Sequence, residues 1–104
     1  MNPEPFLQLD RTIHEKGRLA IMSLLAASPS LLYTDLRDTL RMTDGNASAH
    51  LRTLLEAGYV SVTKSLESGR PATSYALTPT GRTAFADYLR LLEQIVALTR
   101  NPGA

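Results

Sequence analysis

Apolar residues recur at three- and four-residue steps along most of this chain, and strict alternation takes over clearly at one place, Tyr59-Val60-Ser61-Val62-Thr63. Side chains alternate across a strand but repeat about every 3.6 residues around a helix, so this change of period confines the sheet to a small hairpin among helices. Composition agrees: 18 Leu and 12 Ala stand against three Val, three Ile and no Trp. Straight-chain residues favour helices, and β-branched and aromatic residues favour strands. The expected fold class is mainly α with a small β-hairpin, an α+β domain. Its 104 residues suit one domain spanning 1–104, and 43% apolar with 20% charged residues is a globular balance that excludes disorder.

The first helix is expected over about 10–27, burying Ile13, Gly17, Ala20, Ile21, Leu24 and Leu25, and Ser28-Pro29-Ser30 stops it. Leu31-Leu32-Tyr33 is a short apolar run, and Thr34 is the expected N-cap of a short helix over about 35–41 that turns Leu36 and Leu40 inward. Thr43 caps a third helix reaching about residue 57, with Ala47, Leu51, Leu54 and Leu55 buried and Gly58 closing it. The alternating strand 59–63 has a plausible partner at 72–78, and Ser68-Gly69-Arg70-Pro71 suggests a hairpin turn longer than two residues. Thr78-Pro79-Thr80-Gly81 opens a last helix over about 81–99, before Asn101-Pro102-Gly103 frays the end. This helix carries two adjacent apolar stripes, Phe85, Leu89, Leu92, Val96 and Tyr88, Leu91, Ile95, Leu98, more than a small domain needs to cover its own core.

Several function classes drop out. Without cysteine there is no disulfide, thiolate metal site or Cys nucleophile, and His14 and His50 stand too far apart in sequence to form a metal-binding pair. No phosphate loop and no Ser-His-Asp spacing is present, so an enzyme and a bound cofactor are not expected. No basic leader precedes the short Phe6-Leu7-Leu9 patch and no 18-residue uncharged run exists, which predicts a cytoplasmic protein with no membrane partner. A net charge of +1 gives no strong overall field, so attraction to nucleic acid has to come from local charge.

Two short helices joined by a tight turn form a helix-turn-helix, and a hairpin directly after the second is the wing of a winged helix. The shape suits DNA, because a helix fits the major groove while a hairpin lies along the backbone or reaches the minor groove. The run Thr43-Asp44-Gly45-Asn46-Ala47-Ser48-Ala49-His50-Leu51-Arg52-Thr53-Leu54-Leu55-Glu56-Ala57-Gly58-Tyr59-Val60 resembles the recognition-helix signature of MarR/ArsR-type bacterial winged-helix regulators. Leu9, Asp10, Ile13, His14 and Arg18-Leu19-Ala20-Ile21 are similar to their opening helix, Gly69-Arg70-Pro71 to the wing tip, and Tyr75, Leu77, Thr78 and Gly81 to the wing exit. Ala47 stands where that group usually has a larger apolar residue. The resemblance implies a homodimeric transcriptional regulator, with a winged-helix core over about 10–78 and a dimerisation helix over about 80–99.

On the third helix Asn46, Ser48, Ala49, Arg52, Thr53 and Glu56 lie off the buried line with His50 at its edge, and all of these but Glu56 are the expected major-groove residues. Arg52 can contact guanine or a phosphate, Asn46 can pair with adenine, and His50 can donate to a phosphate or pack structurally. Lys64 and Arg70 flank the hairpin and are the expected wing contacts. Arg37 and Arg41 can touch phosphates or pair with Asp38 and Asp44. Phe85, Tyr88, Leu89, Leu92, Ile95 and Val96 are the expected dimer interface. The partners that follow are double-stranded DNA with an inverted-repeat operator, a second copy of the chain, and an unnamed small-molecule effector in a dimer cleft. A winged-helix module that binds another protein instead of DNA is the rival reading.

Overall fold

The computed structural model of the chain describes residues 2–100, so the expected fraying at 101–103 lies outside the described residues. Its elements are α1 (Glu4–Leu7), α2 (Lys16–Ala26), β1 (Leu31–Leu32), α3 (Tyr33–Thr39), α4 (Asp44–Glu56), β2 (Val60–Glu67), β3 (Arg70–Leu77) and α5 (Pro79–Arg100). The three strands form an antiparallel sheet in the order β1-β3-β2. This is a winged helix with a long C-terminal helix, and the expected α+β class holds.

Several boundaries move for local reasons. Helix α2 begins at Lys16 and not near residue 10, because the Asp10 carboxylate accepts the N–H groups of Thr12 (2.8 Å) and Ile13 (3.2 Å) and folds that stretch into a turn. Glu15 then caps the helix by accepting the Arg18 N–H at 2.8 Å. Thr34 does not cap α3: β1 runs straight into the helix through extended Leu32, and no side chain caps that end. Thr43 does cap α4, accepting the Asn46 N–H at 3.1 Å, and Gly58 closes it at φ 77°.

The hairpin turn is shorter than expected. Glu67 faces Arg70 in the ladder, leaving only Ser68 (φ 51°) and Gly69 (φ 79°) between the strands. Positive φ at both central residues is the type I′ geometry, whose twist matches that of the strands it joins. Pro71 is accommodated because β1 pairs only with Ser74 and Tyr75, so β3 has a free edge at Pro71.

Ile13, Ile21, Met22, Leu25, Leu36, Leu51, Leu54 and Tyr88 are fully buried where α2, α3, α4 and the start of α5 meet. Ala47 is also fully buried, so the small residue lets α4 sit close to its neighbours. Phe85 and Tyr88, expected in a dimer face, belong to this core instead. They stack with ring centroids 6.4 Å apart, and the Tyr88 hydroxyl lies 2.8 Å from His14 Nδ1. The Tyr59 hydroxyl donates to the Asp10 carboxylate, and that bond pushes its pKa up to about 12. Gly81 is where α5 crosses the chain at Tyr59: any Cβ there would fall on the Tyr59 backbone carbonyl.

The described chain measures 60 × 26 × 21 Å with a radius of gyration of 15.9 Å. A compact domain of this size is near 13 Å. The excess comes from two projections, the hairpin, exposed from Ser61 to Pro71, and the distal half of α5.

Candidate nucleic-acid interface

Helix α4 turns Ala47, Leu51 and Leu54 into the core and leaves Gly45, Asn46, Ser48, Ala49, Arg52 and Glu56 exposed. Gly45, Ala49, Arg52 and Glu56 form the middle of that outward face at helical spacing. A Cβ at Gly45 would meet nothing within 4 Å, so nothing inside the protein requires a glycine there, and the first turn presents bare backbone outward. The Thr53 hydroxyl is spent on the Ala49 carbonyl at 3.2 Å, while the Asn46 side chain and the Arg52 guanidinium make no hydrogen bond or ion pair among the described residues.

Both flanks of α4 are tied down. On one, Asp44 accepts from Arg37 Nη1 at 2.8 Å and from the Tyr33 hydroxyl at 2.9 Å, and Ser48 Oγ lies 3.3 Å from that hydroxyl. The Arg37 guanidinium also donates to Asp38 at 2.8 Å and lies 5.7 Å from the Tyr33 ring centroid. Hydrogen bonds to Asp38 and then Asp44 raise the Arg37 pKa, and the Arg37 and Tyr33 donors hold the Asp44 carboxyl below the usual carboxylate range. Arg37 is therefore a fastener between α3 and α4, with its charge already answered.

On the other flank His50 turns inward. Its Nδ1 lies 3.5 Å from Glu15 Oε1 and 3.4 Å from Arg18 Nη1, over Gly17, where a Cβ would come within 2.5 Å of Nε2. Glu15 is held below its ordinary pKa, first by the Arg18 backbone N–H and also by the charges of His50 and Arg18. His50 thus braces α4 against the start of α2 and does not join the outward face. Ser48, half engaged by Tyr33, sits at the margin.

The register separates the two wing cations. Lys64 pairs with Thr73 and shares a face with Val62 and Leu66, whereas Arg70 pairs with Glu67 on the opposite face beside the turn. Both are exposed, and neither forms an ion pair among the described residues. Arg41, in the turn before α4, is exposed and equally unpaired. Modest net charge therefore conceals four cations in the helix-turn-helix and wing, Arg41, Arg52, Lys64 and Arg70, that form no ion pair among the described residues.

On the distal half of α5, Leu89 and Val96 are 39% and 40% exposed, and with Leu92, Glu93, Ala97 and Arg100 they line a shallow groove of about 380 Å³. Leu92 and Ile95 are half-buried against the core. No helix among the described residues is long and apolar enough to cross a membrane.

A recognition helix held on both flanks and followed by a projecting hairpin defines a winged-helix nucleic-acid-binding domain. Residues 18–96 match the family described as the winged helix DNA-binding domain, and the chain belongs to that family, one of DNA-binding proteins and not of enzymes. It is 36% identical over 84 residues to an uncharacterized protein of Methanocaldococcus jannaschii, covering 81% of this chain and 88% of that one. Its fold is similar to that of a transcriptional regulator homologue from Pyrococcus horikoshii, with a TM-score of 0.77, 23% identity and 100% of both chains covered. A transcriptional regulator of the MarR family from Enterococcus faecalis aligns with a TM-score of 0.76 and 23% identity, over 88% of this chain and 82% of its own.

Proposed function

We propose that the protein is a homodimeric transcriptional repressor that reads an inverted-repeat operator in the cytoplasm and acts by occluding a promoter. The observation that carries this reading is the outward face of α4: small or hydrogen-bonding residues around an unpaired Arg52, on a helix braced on both flanks so that its face is presented rigidly. Asn46, Ala49 and Arg52 meet base edges, with Ser48 and Thr53 at the margins of the groove. Lys64 and Arg70, on opposite faces of one ribbon, meet the two walls of the flanking minor groove. His50 contributes by holding the helix and not by touching DNA.

The second copy is supported by α5. Leu89 and Val96 remain 39% and 40% exposed in the protomer, and Glu93 and Arg100, seven residues apart beside them, can pair across a two-fold axis. Short α1 packs against α5 and leaves Phe6 (58%) and Leu7 (67%) exposed, a further apolar edge for the same contact.

Titrating labelled duplexes with single variants tests the reading. Arg52→Ala is expected to cost about 1–3 kcal/mol on the operator and to relax base preference at one position in each half-site. Lys64→Ala and Arg70→Ala are expected to weaken all duplexes evenly and to reduce the salt slope by about 1 per protomer. An Arg52→Ala protein that binds and discriminates like the parent removes α4 from the major groove and favours a protein partner for this face.

A further inference from the structure

Helix α3 ends in a Schellman motif. The Arg41 N–H donates to the Asp38 carbonyl at 3.1 Å and the Met42 N–H to the Arg37 carbonyl at 2.9 Å, which puts Arg41 at φ 55°. This left-handed position favours glycine, because a Cβ there crowds the following carbonyl. The same motif ends α4 with a glycine: Gly58 sits at φ 77°, its N–H on Leu55 and the Tyr59 N–H on Leu54, both at 3.0 Å. One chain thus closes two helices in the same way, once with the favoured residue and once with an arginine that strains the backbone.

Arg41 is exposed, and among the described residues its guanidinium has neither a hydrogen bond nor an ion pair. Arg37, one turn earlier, is the arginine that locks α3 to α4 through Asp38 and Asp44. Arg41 leaves its charge free in the turn of the helix-turn-helix, two residues before the Thr43 cap of the recognition helix.

We infer that Arg41 is a DNA-backbone contact, its guanidinium meeting a phosphate at the edge of each half-site, and that the left-handed strain is tolerated for that contact; this rests on the DNA-binding reading above. A guanidinium offers paired donors that match phosphate oxygens, and its planar fork is preorganised, so less freedom is lost per hydrogen bond formed than with an ammonium. A backbone contact carries no base preference, so its effect is the same on any duplex.

Arg41→Gly separates strain from contact, since the two move in opposite directions. The variants Arg41→Gly, Arg41→Ala and Arg41→Lys would be melted without DNA and titrated, from low to moderate salt, with both the operator and a scrambled duplex. Arg41→Gly is expected to raise Tm by roughly 3 °C by relieving the turn. It should also weaken both duplexes by roughly fivefold to tenfold per protomer and flatten the salt slope by about 1 per protomer. Arg41→Ala should weaken binding equally without the gain in Tm, and Arg41→Lys should keep the slope. Unchanged affinity and slope in Arg41→Gly overturn the inference, as does a loss of affinity at constant slope, which reports turn geometry. A parent protein that binds the scrambled duplex as tightly as any operator defeats the operator reading, and Arg41 is then decided on the scrambled duplex. A parent that binds neither duplex overturns both.

Discussion

Gly81→Ala is expected to lower Tm by roughly 10–20 °C, the largest loss of stability from adding one methyl group to this chain. The new Cβ would fall on the Tyr59 backbone carbonyl, which cannot swing aside as a side-chain tip would. That carbonyl accepts the Thr78 N–H at 3.1 Å, and the Thr78 hydroxyl both donates to the Gly58 carbonyl at 2.6 Å and caps α5 at the Gly81 N–H at 2.9 Å. Backing α5 away would break this junction and loosen Phe85 and Tyr88 in the core. Overpacking of a close contact costs about 1–3 kcal/mol, the lost junction bonds add to it, and each kcal/mol moves Tm by roughly 4–8 °C in a domain of this size. Thermal melts of Gly81→Ala and Gly45→Ala side by side make the comparison internal, because a Cβ at Gly45 meets nothing within 4 Å. Gly45→Ala should melt no lower than the parent, and similar losses in both variants would show that the close approach of α5 to Tyr59 does not govern stability.

The second large effect is on binding. The double substitution Leu89→Glu with Val96→Glu is expected to convert the protein to monomers and to reduce operator affinity by about a hundredfold or more. Both side chains are about two-fifths exposed in the protomer, so charging them leaves the core intact. In a two-fold interface every substitution is repeated, which would bury four carboxylates in an apolar contact. DNA affinity then falls because the second half-site is no longer engaged from within one complex; that linkage raises overall affinity by about 10²–10⁴. Sedimentation and duplex titration of the same sample would report both changes. Variant protein that stays dimeric and binds normally would move the interface off this stripe. Phe85 and Tyr88 are unsuitable for such a test, since charging them would disrupt the core.

How much of this could be read from the sequence depends on whether the determining interactions were local. The recognition helix was legible because its signals lie within one segment: the Thr43 cap, apolar residues at helical spacing, and Gly58 in the left-handed closing position. The start of α2 was misplaced because side-chain caps from Asp10 and Glu15 overrode an apolar period that continues through them. Helix α1 escaped notice because its four residues rest on distant α5 and have no period of their own. The strands run further toward the turn than the alternation over 59–63 indicates, because β2 is exposed at every residue after Val60 and no buried side there keeps the alternation going beyond Thr63. At the site, spacing identified the outward residues of α4, but not that His50 reaches across to Gly17, a contact between residues far apart in sequence. Periodicity also placed two stripes on α5 without telling core from partner; only the packed fold assigns Phe85 and Tyr88 inward and Leu89 and Val96 outward. Charge alone left Arg37 and Arg41 equivalent as phosphate contacts or surface pairs; the fold separates them, pairing Arg37 with Asp38 and Asp44 and leaving Arg41 at a backbone angle where glycine is the usual residue.

In the proposed complex two α4 helices, related by a two-fold axis, read base sequence in successive major grooves. Selection of bound duplexes from a random pool at moderate salt, with sequencing of the enriched fraction, tests it most directly. The expected product is an inverted repeat whose half-site centres lie about 10 base pairs apart or a multiple of that, lost on Arg52→Ala at the base this residue contacts. A pool that returns no motif, or a single half-site without symmetry in protein that is dimeric, would contradict it.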